Sequence, residues 1–368
     1  TESDTQFCSD LASHQFPHPG HPAGRSLDDF GQFAQADFRL CLPGPVNGFF
    51  DHAGTADTDI DDGFRLADTE LEKLHLTGIR QRFEQLRDRV PALKRQAEEQ
   101  GVNEVDSLES AAALLFPHTV YKSYPLSWLE KGRYDRLTRW LDGLTALDLS
   151  GVDVAGCESV DEWIDRLDET TELRVAHTFG TSGKLSILPR TAGHRRLMAH
   201  LNGLCLRDWH GTGEGPDVLN DNLPLIQPSY RYGASAQLRG VREMVRQYAG
   251  GEDNALFLYP DRFSADIASL AGRLRAAEAG GEEGRVEISP ALARRREEFL
   301  ERERRRGQDL EAFFQQAIER FQGQRIFLFG VWPMLYDAAV DGLERGLEGV
   351  FAPGSVLTTG GGTKGRNL

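Results

Sequence analysis

Three short apolar runs constrain this chain most: Leu223–Gln227, Ala255–Pro260 and Arg325–Gly330. Each is too short for a helix, rich in branched or aromatic residues, and bounded by Pro, Gly or polar positions. That is the pattern of strands buried on both faces of a parallel sheet. Helical spacing precedes the first run and recurs between the second and third, within 289–321. Strands alternating with helices from about residue 120 to 368 predict an α/β fold, with mostly parallel sheets flanked by helices. The 368 residues are enough for one large or two ordinary domains.

The N-terminal third reads differently. Residues 1–68 form a zone of their own, with His14, His18 and His21 among Pro and Gly, then the acidic run Asp57, Asp59, Asp61 and Asp62. The run resembles a calcium loop in its first three ligand positions. Asp62 stands where such a loop needs glycine and Asp68 where it needs glutamate. A solvated turn is the better reading, and no metal site is assigned. From Thr69, the residues Leu71, Leu74, Ile79, Phe83, Leu86, Val90 and Leu93 recur at helical spacing, and Gly101 closes the pattern. Ser107 can cap a helix over 108–115. Tyr121, Lys122 and Tyr124 are expected in an extended segment, and a helix is expected from Trp128 to Leu149 with Tyr134, Leu137, Trp140, Leu141 and Leu144 inside. Residues 69–368 are thus expected to form one large domain behind an N-terminal extension.

The most chemical segment is His177-Thr-Phe-Gly-Thr-Ser-Gly-Lys-Leu-Ser186. It follows an apolar stub, Leu173, Val175 and Ala176, and leads into Ile187 and Leu188. Glycines let a backbone approach an anion closely, successive N–H groups form a concave nest, and a lysine adds a point charge. A Walker A loop is excluded: Thr178 stands where that motif needs glycine, and Leu185 where it needs Ser or Thr. No Gly-x-Gly-x-x-Gly follows an early strand, which weighs against a dinucleotide fold. On spacing alone, a plain turn between strands remains an equal alternative. A helix is expected over 193–209, with His194 at its start a weak catalytic candidate. The run that begins at Leu223 opens into Gln227, Ser229, Tyr230 and Arg231, as a strand end facing a cleft would. Trp332, after the third run, is a candidate wall for a substrate pocket.

Thr178–Ser186 resembles the Ser/Thr/Gly-rich phosphate loop of the adenylate-forming enzymes, which activate a carboxylic acid as an acyl-AMP. Ser355–Gly365, with Gly360, Gly361, Gly362 and Lys364, resembles the strand and glycine turn of one branch, that of the bioluminescence acyl-protein synthetases and phenylacetate–CoA ligases. Phe116–Pro125 resembles the entry segment of that branch. The resemblance covers roughly residues 70–368. It implies ATP and Mg²⁺ as cofactors and a small carboxylic acid as substrate, with CoA or a carrier-protein thiol as a candidate acyl acceptor. It implies that Thr178, Gly180, Thr181, Ser182, Gly183 and Lys184 hold the phosphates. The backbone of Gly360, Gly361 and Gly362 would approach the adenine or acyl-phosphate. Lys184 and Lys364 become the catalytic candidates, and Gln227, Ser229, Tyr230, Arg231 and Trp332 the substrate candidates. It also implies a small C-terminal domain with further catalytic groups, expected beyond Leu368. Adenylation of a non-carboxylate small molecule, and a non-catalytic nucleotide-binding protein of the same fold, stay open.

Composition narrows the partners. The net charge of −15 argues against nucleic acid, because a field of that sign repels phosphate backbones. The Arg-rich stretch within 289–321 is matched by acids and reads as an ion-paired solvated helix face. The four cysteines, Cys8, Cys41, Cys157 and Cys205, form no Cys-x-x-Cys pair, so neither zinc nor redox chemistry is indicated. No apolar run reaches membrane length and no signal sequence is visible, so a cytoplasmic protein without membrane contact is expected. A homodimer is compatible with all of this.

Overall fold

The computed structural model describes residues 67–178, 183–208, 216–281 and 286–360. Within the span expected to form one large domain, the chain contacts separate two compact units. Among described residues, one holds 67–176 and 186–197, and the other holds 177–178, 183–185 and 198–360.

The first unit is helical. It contains α1 (Asp68–Leu86), α2 (Pro91–Gln100), α3 (Leu108–Ala113), α4 (Leu126–Glu130), α5 (Tyr134–Asp142) and α6 (Val160–Thr170). The helix expected from Thr69 to Gly101 is two helices. Pro91 has no N–H to give and forces Val90 into extended geometry (φ −114°, ψ 102°), so α1 stops and α2 starts afresh. Gly101 ends α2 as expected, in the left-handed conformation at φ 67°. The expected helix over 128–149 is likewise replaced by α4 and α5, with Gly132 at φ 59° between them. The segment expected to be extended is a 3₁₀ turn, His118–Lys122. Phe83, Leu86, Val90, Leu93, Val105 and Leu114 share one core, with Tyr121 and Trp140 packed against it. Buried Trp163 of α6 donates its indole N–H to Thr138 Oγ1 at 2.9 Å, and its ring stacks on Tyr134. Leu173 bridges Thr191 in antiparallel fashion where the chain leaves and re-enters this unit.

Two short strands, β1 (Ala176–His177) and β2 (Ile187–Leu188), flank the glycine- and hydroxyl-rich segment. Helix α7 (Ala192–Asp208) follows, close to the expected span.

The second unit is built on a four-stranded sheet of β3 (Leu225–Gly233), β4 (Ala255–Phe263), β5 (Phe327–Val331) and β6 (Val356–Gly360). All pairings are parallel and the order is β4-β3-β5-β6. All three apolar runs are strands, as expected. The connections are α8 (Ala236–Tyr248) from β3 to β4, α9 (Ala265–Gly280) and α10 (Pro290–Phe321) from β4 to β5, and α11 (Trp332–Glu344) from β5 to β6. Leu225, Ala255 and Phe327 face α8 through Val241, Val245 and Tyr248. Ile226, Leu256 and Ile326 face α10 through Phe313, Ala317 and Phe321. Helices therefore lie on both faces, as an all-parallel sheet requires.

Ser107, Ser159, Ser235, Ser264 and Ser289 cap α3, α6, α8, α9 and α10, each accepting the backbone N–H three residues on. Helix α10 carries the exposed ion pairs Arg304–Glu297 and Arg304–Glu301, in accord with the solvated reading, whereas Arg302–Asp261 is partly covered and Arg306–Glu303 is largely buried.

Phe327, fully buried, packs edge-on against Tyr248 at 5.3 Å. Phe327→Ala should destabilise the protein by about 3–5 kcal/mol in chemical denaturation; a loss under about 1 kcal/mol would contradict this account of the core.

Candidate functional site

The strand order fixes where a ligand can sit. The chain enters the sheet at β3, moves out to β4, then returns past β3 to lay down β5 and β6. Between β3 and β5 the direction of winding reverses, and connections on opposite faces part there. Open α/β sheets bind their ligands at such a switch point. Helix α8 covers its own face where β3 and β4 lie. Helix α11 does not cover that face on the other flank. Its Leu335 packs where a Cβ at Gly330 would stand, and its Met334 Sδ meets Arg306 of α10, so α11 shares the α10 side.

On the α8 face, one lateral row crosses the switch point. Gln227 pairs with Phe257 of β4, and its neighbour Ile226 pairs with Leu328, which brings Phe329 beside Gln227. Phe329 in turn pairs with Thr358 of β6. The row reads Phe257, Gln227, Phe329, Thr358. Gln227 is completely buried, and neither its Oε1 nor its Nε2 has a hydrogen-bond partner. The Oγ1 of Thr358 is buried and unpartnered as well, while Phe329 and Thr358 as whole residues are half-buried. Burial of a polar group without compensation costs about 1–3 kcal/mol. Three such atoms in one row are a standing deficit that a bound polar group would relieve.

The other expected substrate residues go elsewhere. Ser229 is half-buried at the register break between Gln227 and Tyr230. Tyr230 turns to the opposite face and packs on Tyr259 (4.9 Å) and Phe263 (5.3 Å) under the Arg302 guanidinium. Burial pushes its hydroxyl up to about 12. Arg231 is engaged: its Nε and Nη2 donate to Glu252 Oε2, which also accepts from the Tyr232 hydroxyl at 3.2 Å. The hydrogen bond from Arg231 holds the Glu252 carboxyl below the usual range. Trp332 is the first residue of α11 and stacks near Tyr336 at 5.6 Å. The structure therefore brings Gln227 to a strand bordering the switch point, sets the Glu252-bound Arg231 guanidinium over the neighbouring Phe257 ring at 5.8 Å, and leaves Tyr230 and Trp332 in other surroundings.

The anion-binding segment starts beside β3. His177, buried, donates its backbone N–H to Ala234 O at 3.0 Å and bridges Ser235 in parallel fashion, so Thr178 leaves next to the N-cap of α8. The Nδ1 of His177 lies 3.0 Å from Thr178 O, an acceptor, which fixes that nitrogen as the donor. Gly183 has φ 90°, and a Cβ there would stand 2.8 Å from the Ala276 Cβ of α9, so glycine is demanded both by conformation and by space. Lys184 beside it is half-buried. Thr178 is half-buried too, and Gly360 closes β6 opposite Val331. Gly180, Thr181, Ser182, Gly361, Gly362 and Lys364 lie outside the described residues. His194 accepts from Arg190 at Nε2, which engages that nitrogen. Tyr124 is buried against Trp140 in the helical unit, a packing role.

Among the described residues no cluster of His, Cys, Asp or Glu could hold a metal ion, and Cys157 and Cys205 are free thiols. No helix among them is long and apolar enough to cross a membrane. Sequence reasoning missed Phe329 and Thr358; the only available signal was the alternation within Phe327-Leu-Phe329 and the two threonines before the glycine run. Comparison of the chain with family models, with characterised proteins and with solved structures gives no match.

Two outcomes follow from this geometry. Gln227→Leu keeps the side chain's bulk and removes the unpaired amide, so the ligand-free protein should gain about 1 kcal/mol in denaturant unfolding; a loss of that size would show the amide is satisfied. The Arg231–Glu252 pair stabilises the fold above the ordinary glutamate value of about 4.3, and its contribution fades as pH falls through the depressed folded value. Glu252→Gln should flatten that part of the stability–pH curve. Both side chains are partly exposed, so the change should stay within about 1 kcal/mol.

Proposed function

We propose that the protein activates a small carboxylic acid as an acyl-adenylate, releasing pyrophosphate, and passes the acyl group to a thiol such as that of CoA or a carrier protein. One observation carries this reading. The strand that leads into the glycine run, β6, is the edge strand beside β5, which borders the sheet's switch point, in the same unit as Gly183 and Lys184, the end of the hydroxyl-rich segment. The strands that lead into both segments run in the direction of β3, since β1 bridges β3's continuation in parallel and β5–β6 pair in parallel. A nucleotide held at one and an acid held at the other would lie along one edge of one sheet.

The residues suit the chemistry in the following way. When bound, ATP supplies the adenylyl group, with pyrophosphate as its leaving group. Attack at phosphorus builds charge on equatorial oxygens, so the chain's task is positioning and positive potential rather than nucleophilic catalysis. Gly183, in the left-handed conformation, can turn successive N–H groups toward an anion, and Lys184 adds a cation. Mg²⁺ would be carried on the nucleotide's phosphates.

Pyrophosphate release measured over a panel of carboxylic acids with ATP and Mg²⁺ tests the reading. Acid-dependent release is expected, and silence across the panel would favour a non-catalytic nucleotide-binding protein. Lys184→Ala should raise the ATP requirement by about 10–100-fold, the worth of a charged hydrogen bond to phosphate. An unchanged ATP profile would remove Lys184 from its role.

A further inference from the structure

We infer that the row Gln227–Phe329–Thr358 is the recognition site for the far end of the acid, and that the acid carries a neutral hydrogen-bonding group on a flat apolar body. This rests on the acid-activating reading above and adds the substrate's chemistry to it. Three observations converge. First, the row contains an amide, which both donates and accepts, and a hydroxyl, all buried and unpartnered. Second, the residues beside Gln227 on both neighbouring strands are aromatic, Phe257 and Phe329, and the one cation set against the row, the Arg231 guanidinium over the Phe257 ring at 5.8 Å, is already paired with Glu252. A second charge on the ligand would therefore be desolvated without compensation, whereas a hydroxyl or carboxamide would be matched. Third, the row is graded. It is closed at Gln227 and half-open at Phe329 and Thr358, on the flank that α11 leaves to the other face.

Dimensions agree. Gln227 and Thr358 stand two strands apart, about 10 Å between backbones, leaving a flat ring room to lie across Phe329 between them. Gly360 is two residues beyond Thr358 on the same strand and the same side, about 7 Å along it. An acid anchored by its polar tail in the row would point its carboxylate toward Gly360 at the end of β6. Thr358 is thus a specificity-determining residue alongside Gln227. A site built to hydrogen-bond a substrate group rejects the analogue that lacks it far more strongly than an apolar pocket rejects an extra methyl.

The test uses the full chain and matched acids: 4-hydroxybenzoate and 4-carbamoylbenzoate against benzoate and 4-methylbenzoate. Binding is read by thermal shift and titration calorimetry, and turnover by pyrophosphate release with ATP and Mg²⁺. The polar acids should be preferred at least about 100-fold by the native protein. Gln227→Leu should abolish or invert that preference, and Thr358→Val should weaken it by about tenfold, the worth of one neutral hydrogen bond. Melting temperatures of both variants at or above the native value would show that folding is not the cause. Equal binding of polar and apolar acids, or a preference that survives both substitutions, would overturn the inference. Release of pyrophosphate without a polar preference would leave acid activation standing and remove this site. A polar preference in binding with no release from any acid would do the reverse. Absence of binding by every acid would remove both.

Discussion

A parallel sheet has to bury both faces, and each crossover helix can cover only the side its handedness assigns it. That constraint shapes the second unit. Moving from β3 to β4 places α8 on one face; turning back to β5 and on to β6 puts α10 and α11 on the other. Among the described residues, the α8 face is consequently closed over β3 and at Phe327 of β5 and half-open at Phe329, Val356 and Thr358. Nothing in the chemistry of Gln227 or Thr358 alone makes a site. The reversal of winding sets the two into one lateral row, Gln227 closed over on β3 and Thr358 on the half-open edge strand β6.

Much of this was legible from residues alone, and the failures have physical causes. The apolar runs at 223, 255 and 325 declared themselves because strands buried on both sides need no alternation. Helices α7 and α10 followed from the spacing of their apolar and charged residues. The break between α1 and α2 was also written in the chain, at Pro91, but the regular spacing of Phe83, Leu86, Val90 and Leu93 overrode it; those residues do share one core, across two helices. Helix α9 escaped notice because its first ten residues are buried nearly all round, Ala265, Ile267, Ala268, Leu270, Ala271 and Gly272 among them, leaving no stripe to detect. In α8 the stripe was masked by Arg239 and Glu243, charged residues that are nevertheless buried. Ser159, Ser235 and Ser264 were the missed signals, each a cap at the first turn of an unread helix.

The site was legible only in part. Gln227 stood out as a polar residue ending an apolar run. Thr358 did not, because a threonine in a strand is ordinary and its meaning depends on lateral register, which no single segment contains. Tyr230 and Arg231 illustrate the converse. In sequence they neighbour Gln227, yet alternation turns Tyr230 to the far face, and Glu252, more than twenty residues away, captures Arg231. Spacing along a chain names candidates; pairing between strands decides which of them meet.

Two prolines inside the sheet have a consequence for its motions. Pro228 lies where the β3–β4 register breaks between Gln227 and Tyr230, and Pro260 where it breaks again between Tyr230 and Tyr232, so the pairing offset is altered and then restored. Neither residue can donate to the ladder. The roots of these strands, anchored by Leu225, Ala255 and Phe327, are thereby uncoupled from their tips, where Tyr232 and Arg262 pair. Openings of the tips can occur on a local free-energy scale, well below that of global unfolding, without loosening the base on which the row at Gln227 stands.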